Sequence, residues 1–117
     1  MIEVNGINNL NKQIVLNKDS FIMLYFGATW CGPCNKLKLK LRDTNEIKSL
    51  QNLSIIYIDI DEEENKEIID IYDVSSLPTL IFIKLNEENE IKILNTIIGY
   101  DWQGIIFSYE KIKKNCI

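Results

Sequence analysis

Two cysteines three residues apart, Cys31 and Cys34, stand in the stretch YFGATWCGPC over residues 25–34. Thiols at that spacing suit three kinds of chemistry: metal ligation, a structural cross-link, or reversible dithiol–disulfide exchange. Zinc and iron–sulfur centres usually take four ligands. The chain has no histidine and one further cysteine, Cys116, so a metal would have to be shared between two chains. A structural disulfide over so short a loop removes little entropy from the unfolded state. Redox exchange is the favoured reading, and it requires a setting that stabilises a thiolate.

The flanking elements supply that setting. SFIMLYFGA (residues 20–28) is a continuous apolar run, as expected for a buried parallel strand. CNKLKLKLRDTNEIKSLQ (residues 34–51) places Leu37 and Leu41 on one helical face. Its Leu-Lys alternation also fits a strand, but its length and the lack of β-branched residues before Thr44 favour a helix. The cysteine pair then lies between strand and helix. Free N–H groups and the macrodipole at a helix N-terminus favour an anion, lowering a thiol from about 8.5 toward about 7 or below. Pro33 suits a first turn, where its missing N–H has no intrahelical partner. Gly32 leaves the approach to the sulfurs uncluttered.

The remaining pattern alternates strands and helices. IEV (2–4) is a short strand, and INNLNKQIVL (7–16) has apolar residues at helical spacing, Ile7, Leu10 and Ile14. LSIIYIDI (53–60) is a second central strand. DEEENKEIIDIYD (61–73) opens with acids that suit a helix start, with Ile68, Ile71 and Tyr72 as its apolar side. TLIFIKL (79–85) and EIKILNTII (90–98) flank NEEN (86–89) as a hairpin. DWQGIIFSYEKIKK (101–114) is a last helix, with Asp101 as its cap and Ile105, Tyr109 and Ile112 on one face. The order β-α-β-α-β-α-β-β-α predicts an α/β fold: a central mixed sheet of about five strands with helices on both faces. Right-handed crossovers place residues 20–28 beside 53–60 in mid-sheet.

Composition narrows the function classes. A length of 117 residues fits one domain, residues 1–117, with a core large enough to need no disulfide staples. A net charge of −4 gives no electrostatic support to a nucleic-acid or anionic-membrane partner. The N-terminal stretch MIEVNGINNLNKQ carries no charged-then-apolar leader, and the apolar run at 21–28 is too short to span a bilayer. The expectation is a soluble chain without membrane insertion, in the cytoplasm or another reducing compartment. Three cysteines argue against a disulfide-rich secreted scaffold. The absence of histidine removes the commonest catalytic base and metal ligand.

Three motifs point to one family. WCGPC (residues 30–34), LPT (77–79) and IIGY (97–100) resemble, in order and spacing, the active-site motif, the proline segment and the glycine turn of the thioredoxin family. WCGPC is specific by itself; the other two gain weight from their offsets. The resemblance extends over essentially the whole chain. It implies the thioredoxin fold and a thiol–disulfide oxidoreductase that reduces protein disulfides. Cys31 would be the attacking nucleophile and Cys34 the resolving cysteine. A cis bond before Pro78, opposite the sulfurs, would leave the backbone of Leu77 free to pair with an extended substrate segment. The substrate surface would be Trp30, Gly32, Pro33, Leu77, Pro78, Ile98 and Gly99, with Tyr100 beside them. Ordinary core packing is the plainer role for Leu77 and Ile98, but partial exposure is expected of both. No cofactor is implied beyond a redox-active Cys31–Cys34 disulfide. The implied partners are disulfide-bearing proteins and a thioredoxin reductase or equivalent reductant, acting on a monomer.

The sequence departs from that family at three places. Tyr25 stands where members commonly carry a buried Asp thought to take the proton of the resolving thiol. Tyr57 stands where a Lys often pairs with that Asp, and Leu39 where a proline often kinks the helix. A tyrosine, with a pKa near 10, is a poor base at neutral pH. The favoured role for both is aromatic core; the other is altered redox chemistry with a different partner set. Asp59 is the nearest alternative carboxylate, although a strand-end Asp is more often a surface or capping group. Two competing readings follow. ATWCGPC is similar to the membrane-anchored thioredoxin-like proteins of cytochrome maturation, whose anchor and extra segment do not occur here. A non-catalytic thioredoxin-fold adaptor in a larger assembly is the other, favoured by the two tyrosines and opposed by the intact WCGPC. Cys116, followed only by Ile117, does not match a prenylation box and is expected as a free thiol.

Overall fold

The computed structural model describes residues 1–43 and 45–115; the expectation for Cys116 lies outside them. Its elements are β1 (Ile2–Glu3), α1 (Ile7–Leu16), β2 (Phe21–Gly27), α2 (Gly32–Arg42), β3 (Leu53–Asp59), α3 (Lys66–Ile71), β4 (Thr79–Leu85), β5 (Ile91–Ile98) and α4 (Trp102–Asn115). Short 3-10 turns at Ile47–Leu50 and Glu63–Asn65 precede β3 and α3. The sheet order is β1-β3-β2-β4-β5. β1 and β2 run parallel to β3, while β4 lies antiparallel to both β2 and β5. This is the mixed five-stranded sheet expected, with β2 and β3 adjacent in the interior.

Side-chain alternation along the strands divides the core in two. Met23 and Tyr25 of β2, Tyr57 of β3 and Phe82 of β4 face one way, against Leu37 and Leu41 of α2 and Trp102, Ile105 and Tyr109 of α4. Ile22, Leu24, Phe26 and Ile58 face the other way, against Leu10 and Ile14 of α1 and Ile68 of α3. Asp101 caps α4, its Oδ1 accepting the Gly104 N–H at 3.0 Å. The β4–β5 hairpin closes on Asn86, whose Oδ1 accepts the N–H groups of Glu88 and Glu90 at 2.9 and 2.8 Å.

Two helices differ from expectation. α2 stops at Arg42 instead of continuing to Gln51. Asp43 turns extended, and its Oδ1 accepts the N–H of Asn45 at 2.9 Å, a side-chain bond that competes with helix continuation. Ile47 and Leu50 still reach the core from the separate 3-10 turn. The helix expected to begin at Asp61 begins as a 3-10 turn and becomes α-helical only at Lys66. Asn65 anchors that connection, donating to the Asp59 carbonyl at 2.8 Å and accepting from the Gly6 N–H at 2.8 Å. Ile71, expected on the apolar side, is exposed.

Candidate active site

Three segments meet at one end of the sheet. β2 ends at Gly27 and leads through Ala28, Thr29 and Trp30 into α2. β4 begins at Thr79, whose Cα partners are Phe26 on β2 and Ile98 on β5. Leu77–Pro78 therefore precedes β4, and Gly99 follows β5, at the end of the sheet where β2 delivers the cysteines. The Leu77–Pro78 bond is cis. The Gly99 N–H donates to the Pro78 carbonyl at 2.8 Å, in a turn where Gly99 takes a φ of 92°.

Cys31 is the N-cap of α2, with Gly32 and Pro33 opening the helix. Its Sγ accepts the Cys34 N–H at 3.2 Å. Cys31 and Cys34 form a disulfide, their Cα atoms 5.2 Å apart. Cys31 is 6% exposed and Cys34 1% exposed, so Cys31 is the more accessible member of the pair. Asn35 braces the loop, donating through Nδ2 to the Thr29 carbonyl at 2.9 Å. Trp30, Gly32 and Pro33 are exposed around the pair, and Trp30 donates through Nε1 to Asp61 at 2.7 Å. Among the expected surface residues, Ile98 is 64% exposed, Leu77, Gly99 and Tyr100 are half-buried, and Pro78 is buried.

Behind the pair lies a wall of two phenols. Tyr25 and Tyr57 are direct Cα partners on β2 and β3, and their rings meet edge to face with centroids 4.9 Å apart. The Tyr25 hydroxyl donates to the Cys34 carbonyl. Gly27 has no side chain because the rings occupy that space: a Cβ there would lie 3.0 Å from Tyr57 Cε1 and 3.2 Å from Tyr25 Cε1. Burial, reinforced by Tyr57, pushes the Tyr25 phenol far above its ordinary value. Tyr57 is pushed up to about 12 by burial, then by the carboxylates of Asp59, Glu3 and Asp61. Both are therefore neutral phenols at neutral pH. Asp59 is taken up in a turn at the end of β3, its Oδ1 accepting the Asp61 N–H at 2.9 Å. Leu39 stands 69% exposed on α2.

Sequence reasoning missed three contacts: Trp30 with Asp61, the Tyr25 hydroxyl with the Cys34 carbonyl, and Lys38 over the Tyr57 ring. Nothing in residue spacing marks the first and third. The second follows only once the register of β2 against α2 is known. Among the described residues, no group of three or more His, Cys, Asp or Glu side chains is arranged to hold a metal ion. No helix among them is long and apolar enough to cross a membrane.

Comparison with known proteins agrees with this geometry. The Thioredoxin family model matches residues 4–97, and the chain belongs to the thioredoxin family. It is 32% identical over 81 residues to Thioredoxin-T of Drosophila melanogaster, covering 69% of this chain and 50% of that one. It is 29% identical over 110 residues to Thioredoxin 3 of Plasmodium falciparum, covering 94% of this chain and 58% of that one. The chain thus spans between half and three-fifths of those two relatives. Among solved structures, Trichomonas vaginalis thioredoxin superposes with a TM-score of 0.81 at 34% identity, covering 96% of each chain.

Proposed function

We propose that this chain is a thiol–disulfide oxidoreductase that reduces disulfides in protein substrates. The observation that carries the reading is the Cys31–Cys34 disulfide at the N-cap of α2, with Cys31 the more exposed residue of the two. In the reduced state the Cys31 thiolate attacks one sulfur of a substrate disulfide, and the other sulfur leaves with the bonding pair and takes up a proton. Cys34, as a thiolate, then attacks Cys31. The mixed disulfide breaks, the second substrate sulfur leaves and is protonated, and Cys31–Cys34 closes. Two electrons and two protons pass to the substrate, and an external dithiol reductant must restore the pair. In solution dithiothreitol serves; for the whole protein the proposal is a thioredoxin reductase or equivalent.

Trp30, Gly32, Pro33, Leu77, Pro78, Ile98 and Gly99 are proposed as the surface on which the substrate segment lies. Exposed Trp30 and Ile98 would supply apolar contact, and half-buried Leu77 would offer its backbone for strand-like pairing. Residues 1–117 are proposed as one monomeric domain that needs no cofactor beyond its own disulfide and works in a reducing compartment. The test is insulin reduction driven by dithiothreitol, comparing the chain with Cys31→Ser. The expected outcome is turnover in the first and none above background in the second. Equal rates would sink the reading and favour a non-catalytic adaptor. In the fully reduced chain, iodoacetamide should also modify Cys31 ahead of Cys34, read by peptide mass spectrometry.

A further inference from the structure

Cys34 is buried in one cluster with the two phenols, Tyr25 and Tyr57. Tyr25 commits its hydroxyl to the Cys34 carbonyl, and the Tyr57 ring stands edge-on to Tyr25. Lys38 lies one helical turn beyond Cys34, at i+4 and so on the same side of α2. Its Nζ sits 3.8 Å from the centroid of the Tyr57 ring. A cation over an aromatic face is held by the ring quadrupole while its aliphatic stem covers apolar surface. The other cations of α2 are placed differently. Lys36 and Arg42 are exposed, and Lys40 pairs with Glu46 at 3.1 Å. Lys38 alone among them is seated on the wall behind Cys34.

We propose that Lys38 is a positioning residue for the resolving step, its ammonium held on Tyr57 so as to stabilise the Cys34 thiolate. The proposal rests on the reading above, in which Cys34 attacks the mixed disulfide. In that step Cys34 first gives its proton to solvent. Its thiolate bonds to the Cys31 sulfur, the bond from Cys31 to the substrate breaks, and the substrate sulfur leaves with the electron pair. The charges facing this wall are few. Asp59 and the loop residue Asp61 at the end of β3, with Glu3 of β1, act on Tyr57 and oppose an anion nearby. Tyr25 and Tyr57 remain neutral, as does Tyr109 of α4, whose phenol burial raises and whose hydroxyl donates to the Gln51 carbonyl. The rest of the buried cluster from β4 and α4 is Leu80, Phe82, Trp102, Ile105 and Ile112, with Lys40 5.9 Å from the Trp102 ring centroid and Lys113 4.5 Å from that of Tyr109. Lys38 is thus the cation seated on the Tyr57 ring, the ring on which those carboxylates act.

The test titrates Cys34 by NMR of its 13Cβ in a Cys31→Ser background, where the assigned signal separates it from Cys116. One partly screened charge about a helical turn away shifts a thiol by roughly 0.5 to 1 pH unit. Lys38→Met should raise the Cys34 midpoint by about that much, lowering its thiolate fraction at neutral pH roughly three- to tenfold. Lys38→Arg, which keeps the charge and stacks on aromatic faces, should restore it. An unchanged midpoint in Lys38→Met, or an arginine variant that titrates like the methionine one, overturns the proposal. The titration involves no substrate, so failure of the chain to reduce insulin would strike the functional reading without obscuring this result.

Discussion

Replacing Tyr25 by phenylalanine removes one hydroxyl and keeps the ring that packs on Tyr57. The lost group is the donor to the Cys34 carbonyl, and one neutral hydrogen bond is worth about 1 kcal/mol net. Tyr25→Phe should therefore lower the urea midpoint modestly and leave the rate of disulfide reduction nearly unchanged, because a phenol held above its ordinary pKa is not the base. Tyr25→Asp should behave differently. Tyr25 is fully buried, so a carboxylate there has its pKa raised above about 4 by desolvation. A raised carboxyl pKa puts the penalty above the unfolded value. The variant should be least destabilised at pH 4 and lose stability as pH rises, until the buried group ionises. Urea melts at pH 4.5 and pH 8 check the sign, and a parallel loss at both would defeat it. The same variant should change the pH–rate profile of reduction, since it places an ionisable group against Cys34.

At the level of elements, Asn65 does work that no hydrophobic pattern announces. It is buried, and it joins the Gly6 N–H, the Asn5 side chain and the Asp59 carbonyl. The connection it anchors also carries Asp61, which accepts from Trp30 beside the redox pair. Asn65→Ala removes the acceptor of the part-buried Gly6 N–H and one of two donors to the Asp59 carbonyl, and should cost about 1–3 kcal/mol. It should also alter Trp30 fluorescence in the folded state, because the loop holding Asp61 loses its anchor. A melt unchanged within error would show the anchor to be dispensable. This residue marks the limit of what could be read beforehand. The element order, the adjacency of β2 and β3, the core faces of α1, α2 and α4, and the cysteine pair at a helix start all follow from apolar periodicity and short motifs. The early stop of α2 at Asp43 and the late start of α3 at Lys66 do not, because side-chain bonds to the backbone set them. The Tyr25–Tyr57 contact follows once β2 and β3 are paired in register, because same-face residues then meet. The seat of Lys38 was not legible, since Leu-Lys alternation on a helix looks like a solvated surface.

The whole molecule carries an alkaline weakness that follows from the same burial. Tyr25, Tyr57, Tyr72 and Tyr109 all have phenols raised above 10, each with burial as the leading cause. In the unfolded chain these groups ionise near pH 10. Below that value both states keep the proton and stability is fully present. Above it the unfolded state releases protons that the folded state retains, so folding free energy falls with pH until the folded phenols ionise too. For Tyr57, raised to about 12, the window runs from about 10 to 12. At pH 11 one such phenol weakens folding on the order of 1 kcal/mol, and several acting together threaten a domain whose total is about 5–15 kcal/mol. Tyr57 and Tyr109 lie in the cluster that holds the redox pair and Tyr72 packs against the cluster on the other face, so the loss involves both faces of the sheet. The urea midpoint should be flat between pH 7 and 9 and fall steeply from pH 10 to 11.5. Tyr57→Phe, measured by the same melts, should reduce that slope, because one proton fewer is released on unfolding. A slope identical in the variant would place the alkaline loss elsewhere.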